Sequence, residues 1–382
     1  MKNIPYGRQH ITQQDIDAVS AVLQGDFLTQ GPAVEQFENA FGQHVHAPHA
    51  VAVANGTAAL HLCAMALDVK PGDKWLTTPI SFVASGNCIL YCGGQVDFVD
   101  IDPATLTMDL NQLEDKVKTG KYKGVIPVDF AGYPVRMDAV KSLADRYGLK
   151  IIEDACHAPG GYFTDEKGEI RYCGDGQYAD LAIFSFHPVK HIACGEGGMV
   201  TGSKQSLVEK VKLLRTHGIT RDPNKMHANH GGWYMEMQEL GYNYRMPDVL
   251  CALGSSQLTR AEEGLVKRRE IARRYSEAFA GLNLSFTHVP EGVGHAYHLY
   301  VITTTHRKQL YDFLREKGVF AQVHYIPMHT MPYYKNMGFK QGDFPKAEKY
   351  YEECLSLPMY PSLSAEDQDY VIGLIKDFLQ QH

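Results

Sequence analysis

Through the first two thirds of the chain, short apolar runs alternate with stretches of helical periodicity, and this alternation limits the fold more than any other feature. Residues 50–54, 75–78, 96–99, 124–128, 150–153, 181–186 and 198–201 read as strands. Residues 55–67, 81–91, 110–118 and 137–147 read as the helices between them. Strand, helix, strand in that order implies a mostly parallel sheet with helices on both faces. Ligands of such sheets sit beyond the carboxyl ends of the strands. After Gly241 the pattern changes. One long helix is expected over 248–279, then a strand at 297–303, a helix at 307–317, a strand at 321–325 and helices at 347–354 and 365–379. Ser364 is the expected N-cap of the last helix. The fold class is therefore α/β. A large sheet domain spans 1–247, and a smaller C-terminal α/β domain spans 248–382 and opens with the long helix.

Charge and cysteine usage exclude several classes. Lysine and arginine number 37 against 44 aspartates and glutamates, leaving a net charge of −7. That balance gives no long-range attraction to nucleic acid or to an anionic membrane, so any phosphate is held by a local site. No apolar run approaches the roughly 18 residues of a membrane span, and the first residues lack the charged-then-apolar pattern of a secretory signal. The eight cysteines form no CxxC pair. They read as reduced thiols of a cytoplasmic protein, with no disulfide framework and no metal site. The arginine-rich stretch 268–274 reads as a solvated helix face, and the tyrosine pairs at 333–334 and 350–351 read as packing.

Four segments at expected strand ends carry side chains that need a reason. Asn55-Gly56-Thr57 opens a helix, where free N–H groups favour an anion and Gly56 admits close approach; a plain helix cap accounts for the same residues. Asp154 ends a buried strand, either capping the next segment or holding a cationic ring nitrogen. Ser185 and Lys190 follow another buried strand and precede Gly195-Glu196-Gly197-Gly198. Desolvation of such a lysine makes its amine a nucleophile toward carbonyl carbon; the alternative is an ordinary loop lysine. Asn243 and Arg245 lie among aromatics and serve either as cap and ion pair or as ligands of a phosphate or carboxylate.

Pyridoxal 5′-phosphate (PLP) uses all of these parts: a lysine for the Schiff base, an acid to keep the pyridine nitrogen protonated, and a phosphate cup. Phe82, after a strand end, supplies a ring to stack. Each pKa unit by which an acid raises that nitrogen is worth about 1.4 kcal/mol.

Those segments also carry a resemblance. Asn55-Gly56-Thr57-Ala58-Ala59-Leu60, Thr78-Pro79-Ile80-Ser81-Phe82, Glu153-Asp154-Ala155-Cys156-His157, Ser185-Phe186-His187-Pro188-Val189-Lys190, Arg215-Thr216-His217-Gly218 and Gly241-Tyr242-Asn243-Tyr244-Arg245 occur in one order along nearly the whole chain. In these the chain resembles the DegT/StrS group of sugar-nucleotide aminotransferases, which have the aspartate-aminotransferase fold (PLP fold type I). Leu28-Thr29-Gln30-Gly31 and Ala321-Gln322-Val323-His324-Tyr325 liken it most to members of the pseudaminic acid pathway, which aminate C4 of a UDP-linked 4-keto-6-deoxy N-acetylhexosamine with L-glutamate. The resemblance implies that Lys190 carries PLP and shuttles a proton, Asp154 pairs with the ring nitrogen, Phe82 stacks and His157 lies by the ring hydroxyl. It implies phosphate contacts from Gly56, Thr57 and Ser185. Asn243 would reach the partner's cofactor in a homodimer with shared sites. Tyr6, Asp26, Phe27, Leu28, Thr29, His324 and Tyr325 would line the sugar-nucleotide site, with Gly56, Ser185 and Asn243. Other readings are an aminotransferase for a different nucleotide-linked keto sugar, a PLP-dependent sugar dehydratase, and a non-catalytic regulator. The retained Lys190 and the absence of clustered cysteines weigh against the dehydratase, and the absence of a DNA-binding module weighs against the regulator.

Overall fold

The computed structural model describes residues 2–381. Its centre is a seven-stranded sheet in the order His49–Val53, Gly198–Gly202, Leu181–Ser185, Lys150–Asp154, Gly124–Ile126, Lys74–Thr77, Gln95–Phe98. Gly198–Gly202 runs antiparallel to both its neighbours, and the other pairings are parallel. All seven expected strands are present, within a residue or two of the expected bounds. Their continuous apolar runs are those of strands covered on both faces. Helix Gly56–Ala66 packs its Leu60, Leu62 and Cys63 into one face of this sheet. Helix Met137–Tyr147 contributes Val140, Leu143 and Ala144 to the core on the sheet's outer part. The N-terminal helices Gln13–Leu23 and Pro32–His44 were not anticipated; the second buries Phe37 and Phe41 against Phe184 of the third strand in the order and Phe186 just after it.

The C-terminal part has its own core, around a three-stranded antiparallel sheet of Ser285–Phe286, Tyr300–Thr303 and Cys354–Leu357. Helix Ala365–Leu379 begins where expected, with the Ser364 side chain accepting from the Asp367 N–H. Strand Ile4–Pro5 crosses from the N-terminus to pair in parallel with Val319–Phe320.

Several expectations are corrected. The long helix is two helices, Asp248–Leu258 and Ala261–Phe279, separated at Thr259 and Arg260. Arg260 is drawn toward the buried Asp15, to which it donates at 2.8 Å, and the chain bends to reach it. The first of these helices packs with Pro32–His44 through the core that holds Cys251. The arginine run is a solvated face only in part: Arg273 is exposed and Arg269 and Arg274 are half-buried, but Arg268 is not solvated. Arg268 is 2% exposed, and its Nη1 donates to the carbonyls of Tyr297 and Met359, each at 3.0 Å. The strand expected at 321–325 is only a single bridge from Gln322 to Ser356, and the strand Cys354–Leu357 replaces the end of the expected helix.

The two parts are joined at a helix start. Asp100 follows the edge strand Gln95–Phe98, and its carboxylate accepts the backbone N–H groups of Lys346 and Ala347, each at 2.9 Å. These are among the first N–H groups of helix Pro345–Glu353, which have no acceptor within the helix. Lys346 Nζ reaches Asp109 at 2.7 Å. Among the described residues, no helix is long and apolar enough to cross a membrane.

Candidate active site

The carboxyl ends of strands Lys150–Asp154 and Leu181–Ser185 open onto a cavity of about 460 Å³. Its wall brings together residues far apart in sequence, among them Gly56, Phe82, Asp154, His157, Ser185 and Lys190. Tyr6, Thr57, His324 and Tyr325 also line it. Segments 26–29 and residue Asn243 do not line this chain's cavity, although they were expected at the substrate site. Asp26, Phe27, Leu28, Thr29 and Asn243 are all exposed. The turn before helix Pro32–His44 is tied elsewhere: Gly31 and Ala33 donate their N–H groups to Asp248 at 2.9 and 3.1 Å, and Leu28 accepts from the Asp248 N–H. Asn243 is bridged to Thr216 on the outer side of the molecule.

Each lining side chain is held by a local device. Asn55 is a true N-cap, its side chain accepting from the Ala58 N–H at 2.8 Å. The N–H groups of Gly56 and Thr57 therefore stand at a helix start with no intrahelical acceptor. A Cβ on Gly56 would lie 3.1 Å from Ser185 Cβ and 3.5 Å from Cys156 Sγ, so only glycine leaves this corner open. Asp154 is 5% exposed. Its Oδ2 accepts from Ser85 Oγ at 2.7 Å, and its Oδ1 accepts from the Cys156 N–H at 3.2 Å. Ser81 Oγ lies 2.7 Å from Ser85 Oγ and completes the chain of hydroxyls. Ser85 was missed; hydroxyls four residues apart in a segment otherwise apolar were the available signal.

Lys190 is placed by the turn in which its N–H donates to the His187 carbonyl at 2.8 Å. Burial holds its amine below the usual lysine range, while Cys156 and Asp154 pull it back up. Around it lies a set of neutral imidazoles. Burial keeps His157 far less basic than usual, with Lys190 adding to the effect. Its Nε2 lies 3.5 Å from the Tyr325 hydroxyl. Burial lowers His324 to about 3, and its Nδ1 lies 2.9 Å from Ser356 Oγ. His298, also unforeseen, lines the cavity with its ring 4.3 Å from that of His157. Tyr6 packs on His324 at 5.0 Å between ring centroids, and Phe82 faces Tyr325 at 6.3 Å.

An amine of lowered basicity, a buried carboxylate and an open helix start thus face one cavity. This set can attach a carbonyl compound, hold a cationic nitrogen and bind a phosphate.

The comparisons agree with that chemistry. The UDP-4-amino-4,6-dideoxy-N-acetyl-beta-L-altrosamine transaminase of Campylobacter jejuni is 35% identical, over 99% of this chain and 98% of its own. Among solved structures, the aminotransferase PseC of Helicobacter pylori, described as involved in the biosynthesis of pseudoaminic acid, superposes with a TM-score of 0.91 at 28% identity, with all of both chains covered. A putative sugar aminotransferase of Streptococcus pneumoniae, Spr1654, in its PLP form superposes with a TM-score of 0.90 at 28% identity over 99% of each chain. The fold is that of the PLP-dependent aminotransferases. The model of the DegT/DnrJ/EryC1/StrS aminotransferase family matches residues 9–376, and this chain belongs to that family.

Proposed function

We propose that this sugar aminotransferase moves an amino group from L-glutamate to C4 of a UDP-linked 4-keto-6-deoxy N-acetylhexosamine, giving the 4-amino sugar nucleotide used for pseudaminic acid. The observation that carries the reading is the convergence of Lys190, Asp154 and the Gly56 helix start on one cavity. The functions by which the Campylobacter and Helicobacter relatives are named support the sugar and the pathway.

The cofactor is PLP, and the residues present fit it. The corner kept open by Gly56, beside Ser185, suits its phosphate. The Asp154 carboxylate, oriented by Ser85 and the Cys156 N–H, suits a ring N–H. When bound, PLP carries the amino group between donor and acceptor and stores the electron pair released at the donor carbon. Lys190 Nζ would hold the cofactor covalently and would move the proton at the reacting carbon; its lowered basicity suits both tasks. Asp154 keeps a proton on the ring nitrogen. Phe82 covers the ring. His157, through Nε2–H, serves the ring hydroxyl together with Tyr325. Tyr6 and His324 meet the sugar.

We further infer a homodimer in the cytoplasm whose sites are shared. The exposure of Asn243, and of 26–29, supports contacts made across an interface rather than within one chain. The same reading divides the chain into a large unit, 1–247, and a smaller C-terminal unit, 248–382, whose first helix, Asp248–Leu258, packs against the large one.

Borohydride reduction of the PLP-loaded protein followed by peptide mapping tests the reading. The label is expected on Lys190, and a label on another lysine overturns it. Incubation with L-glutamate and candidate keto sugars, read by mass spectrometry of the trapped adduct, identifies the sugar.

A further inference from the structure

On the reverse side of the Asp154 strand end lies a second acidic group that the proposed chemistry does not use. Successive strand residues point to opposite faces, so Glu153 turns away from the cavity that Asp154 lines. Glu153 is 3% exposed and Asp129 is fully buried. A carboxylate oxygen of each, together with Cys173 Sγ, lies within 4.8 Å of the others. Asp129 Oδ1 accepts from the Val135 N–H at 2.8 Å, and Glu153 Oε1 accepts from the Gly174 N–H at 3.0 Å. Asp129 Oδ2 is buried with no hydrogen-bond partner.

We propose that Asp129 and Glu153 share one proton, and that the pair so neutralised positions the Asp154 carboxylate. The second half rests on the reading that Asp154 holds the cofactor's ring nitrogen. Two ionised carboxylates are acceptors only and leave Oδ2 with no donor but the weak S–H of Cys173; a proton on either carboxylate converts their mutual contact into a hydrogen bond. The groups facing the pair are Asp154 on the same strand and Cys173 and Asp175 on the segment after strand Ile170–Tyr172. All would be negative if ionised. Among the described residues, no lysine, arginine or histidine forms an ion pair with either carboxylate. Like charges buried this close do not both ionise near neutral pH. Burial accordingly pushes Asp129 up to about 7, with Asp154 adding to it, and burial followed by Asp129 and Asp175 pushes Glu153 well up. Burial also holds the Cys173 thiol in its protonated form.

The coupling to the site is through the main chain. Asp129 N–H donates to the Asp154 carbonyl at 3.1 Å, and Asp154 N–H donates to the Pro127 carbonyl at 2.9 Å. Losing the shared proton sets two like charges against each other across these bonds and disturbs the backbone from which the Asp154 side chain projects.

Infrared spectroscopy of the cofactor-free full chain tests the proton. At pH 6 the wild type should show the carbonyl band of one water-excluded carboxylic acid. Asp129→Asn and Glu153→Gln should each abolish it, because each amide supplies the donor itself and leaves the remaining acid ionised. Urea unfolding gives a second reading. A raised carboxyl pKa means that the folded state holds the extra proton between about pH 4 and 7, so the wild type should lose stability relative to Asp129→Asn as pH rises through that window, with a slope difference of one proton. On the PLP-loaded protein, the cofactor absorbance should show a step at the pH where the acid band disappears, and Asp129→Asn should lack that step. Asp154→Asn should keep the acid band and lose the step. Absence of the band in the wild type, its survival in either amide variant, or a stoichiometric divalent cation in chelator-free protein overturns the shared proton. Loss of the band with no cofactor step overturns the positioning role. An acid band that stands while Asp154→Asn leaves the cofactor spectrum unchanged overturns the Asp154 reading instead.

Discussion

Ala131 donates its backbone N–H to Nδ1 of His157 at 3.2 Å, so the neutral ring keeps its proton on Nε2, the nitrogen nearest the Tyr325 hydroxyl. The tautomer is thereby set by the main chain and needs no ligand. His157, His191, His295, His298 and His324 are all pushed below their ordinary pKa by burial. For a histidine that is neutral when folded, the unfolded chain takes up the proton first. Stability is then full above the unfolded pKa of about 6.5 and is lost as pH falls, at up to about 1.4 kcal/mol per pH unit for each ring. Urea midpoints measured from pH 7.5 to 5 should fall steeply. A flat profile would show that these rings are not neutral in the folded chain.

Asp154→Asn keeps the size of the side chain and removes its charge. Turnover is expected to fall by about 10²–10³-fold, the scale on which a preorganised electrostatic contact is worth a few kcal/mol. The Ser85 hydroxyl loses its charged acceptor as well. Steady-state rates with saturating PLP check this, and activity within a factor of two of wild type counts against the ring-nitrogen role.

Arg268→Met should cost stability rather than chemistry. Three backbone carbonyls, those of Tyr297, His298 and Met359, lose their only side-chain donor among the described residues. A loss of about 3 kcal/mol or more is expected from stranded buried carbonyls. Calorimetry measures it. Arg268→Lys should rescue only part, since a single ammonium does not reproduce the fork of the guanidinium.

Subunit complementation tests the shared site. Lys190→Ala and Asn243→Asp are each expected to be inactive, the second because a carboxylate repels a phosphate. After subunit exchange, mixed dimers contain one site with both residues intact, and part of the activity should return. If exchange is proven by native mass spectrometry and the mixture stays inactive, Asn243 does not serve the partner.

Most of the large sheet was legible because its strands are unbroken apolar runs and its helices are short and periodic. What stayed hidden lay where a tertiary partner overrode local pattern. Nothing local marks the break at Thr259: there is no glycine or proline, and Arg260 is taken by Asp15 from the far end of the chain. Arg268 looked like surface because charge runs usually are, yet it satisfies carbonyls from two distant loops. The cavity-lining residues Asp154, Ser185 and Lys190 could be read because each closes or follows a buried strand. His298 and Asp129 could not, since a lone histidine or aspartate beside a strand gives no clue to what the fold sets against it.

The helix cap that Asp100 makes on Lys346 and Ala347 gives interdomain motion a spectroscopic handle. Any excursion that parts the two units at this edge uncovers both amide hydrogens at once, whereas a swing about this edge leaves them sheltered. Deuterium uptake at Lys346 and Ala347, followed with and without bound sugar nucleotide, would therefore distinguish a hinge located here from one located elsewhere, without any label in the cavity itself.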